Sequence, residues 1–331
     1  MATISDVATK AGVSTATVSR ALNGVSSVDP ELVARVVNAA RTLGYQPNGP
    51  ARSLRRQETA VLALIISDVE NPFFTAIARG VEDVAQAVGY SVVLCNSDED
   101  TGKERRYLDV AIQERVAGVI ISPTGTPSNV DVLRDRGTPV VAVDRPLAER
   151  SCDCVLVDTR DAARHATGHL IEEGYQRIGC ITGPAGVPTA DDRLAGYREA
   201  LRAAGRDADA RLVRRAEYRA AGANKATHEL YQEHNRPDGL LVANSAMAIG
   251  VLEALASIGL RLGSDVGVVA FDDVPWATLL DRPLSVVAQP AYDMGGAAAN
   301  LLLERIADSD RAPTTTTLNA RLIERASSTR L

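Results

Sequence analysis

Long apolar runs are missing from this 331-residue sequence. No stretch approaches the ~20 residues that a membrane-spanning helix needs. The N-terminus also lacks the basic-then-apolar order of a secretory leader. A protein that stays off the membrane and works in the cytoplasm is therefore expected. Cysteine is scarce. Cys95, Cys152, Cys154 and Cys180 are too few and too irregularly spaced for a disulfide framework or a zinc site, and Cys152-x-Cys154 reads as reduced and structural. His165 and His169 stand four apart on a helical stretch but have no third ligand of merit nearby, so no metal is expected. No Gly-x-Gly-x-x-Gly or Gly-x-x-x-x-Gly-Lys follows a strand, which argues against dinucleotide and nucleotide cofactors. No serine or cysteine nucleophile stands in an elbow context, and the expectation is a protein that is not an enzyme and carries no cofactor.

What is present is unevenly distributed. The net charge is −6, yet residues 1–58 hold seven Lys/Arg against four Asp/Glu, a +3 head on a −9 body. Such a molecule is suited to touching phosphates with one end only. The head reads as helix, tight turn, helix over residues 3–23, the order of a DNA-reading helix-turn-helix. Ala8 is small where two helices must approach. Gly12 sits at the turn, where glycine tolerates a positive φ. Val18 is apolar where the second helix packs back. Thr3 and Asp6 have the spacing of an N-terminal cap, and Ser14 can cap the second helix. Asp29-Pro30-Glu31 starts a third helix, whose Leu32, Val36, Ala39, Ala40 and Leu43 repeat at helical spacing before Gly44 ends it.

Three segments carry a resemblance: Val-Ala-x-x-Ala-Gly-Val-Ser-x-x-Thr-Val-Ser-Arg at 7–20, Tyr-x-Pro-Asn at 45–48 and Ala-Arg-Ser-Leu at 51–54. With them the chain resembles the lactose-repressor/purine-repressor (LacI/GalR-type) family of bacterial transcription regulators, and the likeness runs on to Leu-Ile-Glu-Arg at 322–325. The family implies a small all-α helix-turn-helix domain followed by a two-lobed α/β, periplasmic-binding-protein-like domain of parallel sheets covered by helices. On this reading residues 1–48 bind DNA and 49–58 form a hinge helix or linker. Residues 59–331 bind ligand and dimerise, with lobe 1 about 60–160 plus 290–318 and lobe 2 about 161–289 plus 319–331. The family further implies base reading by Thr15, Ala16 and Arg20, phosphate contacts from Thr17, Ser19 and Asn23, and a minor-groove wedge at Leu54. An arginine such as Arg20 can fork the O6 and N7 of guanine, phosphate contacts position without specifying, and an apolar wedge kinks the duplex.

The body has its own signature. Short Val/Ile-rich runs at 61–66, 92–95, 118–122, 139–143, 155–157, 178–181, 239–242 and 266–271 alternate with helical stretches at 73–88, 103–113, 162–173 and 193–204. These runs are apolar on both faces, as in parallel sheets covered on both sides. Two such units follow one another, joined near Val157-Asp158-Thr159.

Ligands of open α/β sheets sit beyond the carboxyl ends of the strands. There the sequence places Asn71-Pro72-Phe73-Phe74, Asp144-Arg145, Asn244 and Asp272, with Arg193 taken to open a helix. Carboxylates, amides and arginines exchange hydrogen bonds with vicinal hydroxyls, and aromatic faces cover C–H surfaces. The resemblance carries effector contacts onto Asn71, Phe73, Phe74, Asp144, Arg145, Arg193, Tyr218, Asn244 and Asp272. Phe73 and Phe74 read equally well as core residues. Ser245 stands where the family has Asp, removing a hydroxyl acceptor and blurring a ribose assignment. Thr159 replaces a usual Asn, and Pro50 falls in the hinge.

The function implied is a sequence-specific repressor, a homodimer on near-palindromic double-stranded operator DNA, controlled by a monosaccharide or derivative between the lobes. A purine is the competing effector. A sugar carrier and a two-lobed enzyme are the rival classes. The missing leader and the basic head argue against the first. The missing nucleophile and cofactor motifs argue against the second.

Overall fold

The computed structural model describes residues 2–22, 28–45, 59–125, 128, 130–147, 152–232 and 236–330. The chain divides into two compact units, 1–59 and 60–331. Asn23, Leu54 and the hinge region around Pro50 lie outside the described residues.

In the first unit α1 (Ile4–Ala11), α2 (Thr15–Leu22) and α3 (Pro30–Thr42) enclose a core of Val7, Ala8, Ala11, Val18, Ala21, Val36, Ala39 and Ala40. The local chemistry explains each start and stop. Asp6 N–H donates to Thr3 Oγ1 at 3.3 Å while Thr3 N–H donates to Asp6 Oδ2 at 2.7 Å, a reciprocal cap. Gly12 ends α1 at φ +65°, a conformation costly for residues with a Cβ. Arg35 of α3 donates to the Ala11 carbonyl at 2.6 Å and ties the third helix to that turn. Thr17 N–H donates to Ser14 Oγ at 3.1 Å, capping α2. Glu31 N–H donates to Asp29 Oδ1 at 2.8 Å, with Pro30 at the first helical position.

The second unit runs β1 (Val61–Ile66), α4 (Pro72–Ala87), β2 (Ser91–Asn96), α5 (Thr101–Gln113), β3 (Gly118–Ile121), α6 (Asp131–Arg134), β4 (Val140–Val143) and β5 (Asp153–Val157). It continues through α7 (Thr159–Glu172), β6 (Ile178–Thr182), α8 (Pro188–Ala203), β7 (Val213–Arg215), α9 (Ala220–Gln232), β8 (Gly239–Val242), α10 (Ser245–Ser257) and β9 (Gly267–Phe271). Last come β10 (Ser285–Ala288), α11 (Ala291–Ala307), β11 (Thr315–Leu318) and β12 (Arg321–Ile323).

Two six-stranded sheets result, ordered β11-β5-β4-β3-β1-β2 and β12-β10-β9-β8-β6-β7. The pairings are parallel except β12, which runs antiparallel to β10. The chain passes between the sheets after β5, after β10 and after β11, so the two lobes are held by three crossings. Each sheet separates two apolar clusters. Leu64, Ile66 and Val141 face α4 and α11, whereas Ile65, Val119 and Ala142 face the side of α5. This is why these strands carry Val and Ile on both faces.

α7 and α8 pack so closely that a Cβ on Gly196 would lie 2.0 Å from the Arg160 carbonyl oxygen. Tyr197 beside it is fully buried and donates to the Ile178 carbonyl at 2.7 Å. The Gly and aromatic of Arg-x-x-Gly-aromatic are thus packing residues. Gly196→Ala is expected to destabilise the second unit by ~1–3 kcal/mol, the usual scale of overpacking. Urea unfolding followed by far-UV circular dichroism checks this, and an unchanged midpoint would contradict the close packing.

Several details differ from the sequence reading. α8 begins at Pro188 rather than Arg193, because a proline at the first helical position suits a start there. Strands β7, β10, β11 and β12 escape a search for apolar runs. They are short, and β7, β11 and β12 are half-exposed edge strands. His169 and His165 have separate partners. His169 is buried with Nε2 2.7 Å from Ser328 Oγ, and His165 Nδ1 lies 3.1 Å from Asp161. The four cysteines are free, and burial pushes the thiols of Cys154 and Cys180 up to about 12, so they are poor nucleophiles. Among the described residues no helix is long and apolar enough to cross a membrane.

Candidate functional sites in the two units

The first unit presents one surface of chemical interest. Along α2, Val18 is buried while Thr15, Ala16 and Arg20 share the exposed side. The Arg20 guanidinium folds back along its own helix, with Nε donating to the Ala16 carbonyl at 3.4 Å. Thr17 is half-buried and its hydroxyl lies 2.9 Å from Ser14 Oγ. It therefore takes part in the helix cap, a competing use for a hydroxyl read as a phosphate contact. Ser19 is half-buried on the same helix.

In the second unit the strand order reverses between β1 and β3 in one sheet and between β6 and β8 in the other. Crevices at the carboxyl ends of strands open at such points. The two crevices face one another across a cleft. Asn71, Phe73, Phe74, Asp144, Arg145, Arg193, Tyr218, Asn244 and Asp272 all line it.

Each is placed by local structure. Asn71 caps α4, its Oδ1 accepting from Phe73 N–H at 3.0 Å. Asn244 caps α10 from the other lobe, accepting from Met247 N–H at 2.8 Å. Two helix N-termini thereby present their positive ends to the cleft. Phe73 and Phe74 lie edge to face, ring centres 5.1 Å apart. They belong to the lobe-1 core and also wall the cleft, so both readings of them hold together.

Arg145 donates to both carboxylate oxygens of Glu99 at 2.8 and 2.6 Å and to the Pro123 carbonyl at 3.2 Å. Across the cleft its guanidinium sits 5.6 Å from the Tyr218 ring centre. Burial alone would lower the pKa of Arg145, but the Glu99 hydrogen bonds and charge hold it above the ordinary value. Burial pushes the neighbouring Asp144 carboxyl upward, against the pull of Arg145 and Arg193. Burial also raises the Tyr218 phenol.

Arg193 stacks on Phe271, 4.2 Å from the ring centre, and donates to the Ala243 carbonyl and, at 3.4 Å, to Gln289 Oε1. Gln289 in turn donates to Asp272 Oδ1 at 2.7 Å. Ser245 donates to Asp272 Oδ2 through its backbone N–H at 3.1 Å and its hydroxyl at 3.2 Å. Ser245 does not line the cleft; it stands behind Asp272 and fixes its orientation. Its hydroxyl also lies 3.4 Å from Asn71 Oδ1, so Ser245 touches cleft-lining residues of both lobes.

Two features mark the cleft as a binding site. The Nε–H groups of Arg145 and Arg193 are buried without hydrogen bonds, Arg145 Nε lying 3.4 Å from Asp144 Oδ2 as an ion pair, and both residues line the cavity. A buried donor left unsatisfied costs about 1–3 kcal/mol, which a ligand oxygen would recover. Moreover, among the described residues six non-glycine residues have φ between 50° and 76°, and four of them, Glu99, Asp144, Tyr218 and Asp272, line the cleft. A fifth, Asp98, is on its rim and pairs with Arg219. Backbone held in this region costs of order 1–3 kcal/mol per residue and clusters where side chains must be aimed. Gly183 makes room for one of them, since a Cβ there would lie 2.2 Å from the Tyr218 ring.

Asp68, Glu99, Thr189 and Gln289 also line the cavity and were not singled out in the sequence. The same strand-end logic reaches Asp68 after β1, Glu99 after β2 and Gln289 after β10. At the rim, Arg219 of the second lobe bonds Asp68 Oδ2 of the first at 2.6 Å and also Asp98.

Comparison with known proteins now adds to this geometry. Residues 3–48 match the profile of bacterial regulatory proteins, lacI family, and residues 167–328 match the periplasmic binding protein-like domain. Over 306 residues the sequence is 39% identical to the ribose operon repressor of Halalkalibacterium halodurans, covering 92% of this chain and 91% of that protein. The chain belongs to the lacI family. Among solved structures of the family, the lac repressor dimer bound to operator and the anti-inducer ONPF aligns with a TM-score of 0.89 at 26% identity, over 100% of this chain and 99% of that one. A complex of the regulator CelR with cellobiose aligns at 0.76 and 31% identity, over 99% and 100%. This lacI-family chain is accordingly a DNA-binding transcription regulator, with a helix-turn-helix unit followed by a two-lobed α/β unit that forms a small-molecule cleft.

Proposed function

We propose that the protein is a cytoplasmic homodimeric repressor of a near-palindromic operator, released from DNA by a monosaccharide of the ribose class bound between its lobes. It acts by binding and carries out no catalysis. The observation that carries the effector assignment is the ring of buried carboxylates, amides and arginines, with Arg193 Nε–H lacking a hydrogen-bond partner and Phe73 and Phe74 as walls. Hydroxyls of a sugar ring satisfy such donors and acceptors together, whereas a purine presents fewer groups around its edge. The 39% identical relative is a ribose operon repressor. In the first unit, the exposed Thr15, Ala16 and Arg20 read bases while Ser19, with Thr17 and Asn23, meets phosphate. Leu54 enters the minor groove at the operator centre.

Isothermal titration of the full chain with D-ribose, D-glucose, cellobiose and adenine tests the effector. Saturable binding of D-ribose is expected. Binding of adenine alone would overturn the sugar assignment.

The rim pair gives a second expectation. Arg219 is one-third exposed and engages carboxylates of the opposite lobe, so its attraction favours the closed cleft but is screened by salt. Arg219→Ala is expected to speed ligand release roughly tenfold, the effect of about 1.4 kcal/mol, and to flatten the salt dependence of release. Stopped-flow fluorescence measures this; an unchanged off-rate at low salt would show that the pair does not hold the cleft shut.

A further inference from the structure

We infer that the cleft selects a neutral sugar and rejects its phosphate ester, with Glu99 as the residue that sets this choice. The inference rests on the sugar reading above and specifies the chemical class of the effector.

The charge inventory points this way. Asp68, Glu99, Asp144 and Asp272 line the cavity, against Arg145 and Arg193. Adding Arg219 at the rim leaves the carboxylates in excess. A phosphate ester brings close to two further negative charges at neutral pH, beside the buried carboxylates of Asp68, Asp144 and Asp272, where like charges repel.

The arginines are also already committed. Phosphate is recognised by a guanidinium presenting two parallel N–H groups. Arg145 has given its two terminal nitrogens to Glu99 and Pro123, and Arg193 has given its own to Ala243 and Gln289. Glu99 fills the end-on fork of Arg145, and Asp144 Oδ2 lies 3.4 Å from its Nε, so carboxylates already face both edges of that guanidinium. A phosphate could take Arg145 only by displacing Glu99, leaving a carboxylate at the cavity wall without its partner. The backbone of Glu99 is held at φ +55°, and its two hydrogen bonds to Arg145 hold the carboxylate in that place. The regulator therefore reads the sugar before a phosphoryl-transfer step consumes it, rather than the product of that step.

The test is calorimetry on the full chain with D-ribose and D-ribose 5-phosphate, for the wild type and for Glu99→Gln and Glu99→Ala, with thermal melts to verify folding. The wild type is expected to bind the neutral sugar at least a hundredfold more tightly than the ester. Both variants are expected to narrow that ratio at least tenfold, through a gain for the ester. Wild-type binding of the ester within threefold of the sugar, or tighter, overturns the inference. Variants that weaken both ligands equally remove Glu99 from its role. If D-ribose fails but another neutral monosaccharide binds, only the ribose assignment falls. The same ratio is then measured with that sugar and its ester, with the same outcomes deciding.

Discussion

Arg193→Ala is expected to abolish the ligand response while leaving operator affinity near that of the wild type. Arg193 is almost wholly buried and occupies the centre of a chain of contacts. It stacks on Phe271, donates to the Ala243 carbonyl and to Gln289, and through Gln289 supports Asp272. Its Nε–H is free for a ligand. The substitution removes a cation from a cavity already rich in carboxylate and unseats a second ligand contact. Truncating one member of a buried, hydrogen-bonded charged network costs roughly 2–5 kcal/mol, so ligand binding falls below calorimetric detection at ordinary concentrations. The residues assigned to DNA lie in the other compact unit, and gel shifts without ligand should be unaffected. Tight ligand binding by the mutant would refute the cleft assignment. Loss of both activities would indicate a folding defect, which a thermal melt identifies.

The second large effect is expected at the other end of the chain. Arg20→Ala should weaken operator binding by ~1–3 kcal/mol and relax preference at one base pair per half-site, the scale of one bidentate base contact. Arg20 is exposed on α2, opposite the buried Val18, and its contact in the free protein is a long one to its own helix. It can therefore swing outward cheaply. Salt titration separates two roles. A base contact leaves the salt slope nearly unchanged, whereas loss of a phosphate contact reduces it by about one. A reduced slope with unchanged base preference would reassign Arg20 to the backbone.

Much of the architecture was legible because its signals are local. Capping at Thr3, Ser14 and Asp29, the turn at Gly12 and the doubly apolar strands depend on neighbours in sequence, and the structure displays each. What was hidden depends on partners far away. Ser245 stands out only as a departure from the family until Asp272, 27 residues on, and Asn71 are seen beside its hydroxyl. Glu99 looks like one of several loop acids until Arg145, 46 residues on, takes both its oxygens. Gln289 follows a strand too short to stand out. The Arg219 pair joins residues separated by 151 and 121 positions, a closeness that only the three chain crossings create. In each case the sequence carries the chemistry, and the topology decides its partner.

A ligand changes operator affinity only if it binds one lobe arrangement more tightly than another, and the coupling between two sites in one protein typically spans about 5–150-fold. Fluorescence anisotropy of a labelled operator fragment, titrated with the full chain in the absence and presence of saturating D-ribose, measures that coupling directly. The account expects operator affinity to fall at least tenfold with the sugar present, with Arg193→Ala showing no such fall. An operator affinity unchanged by a sugar that calorimetry shows to be bound would contradict it.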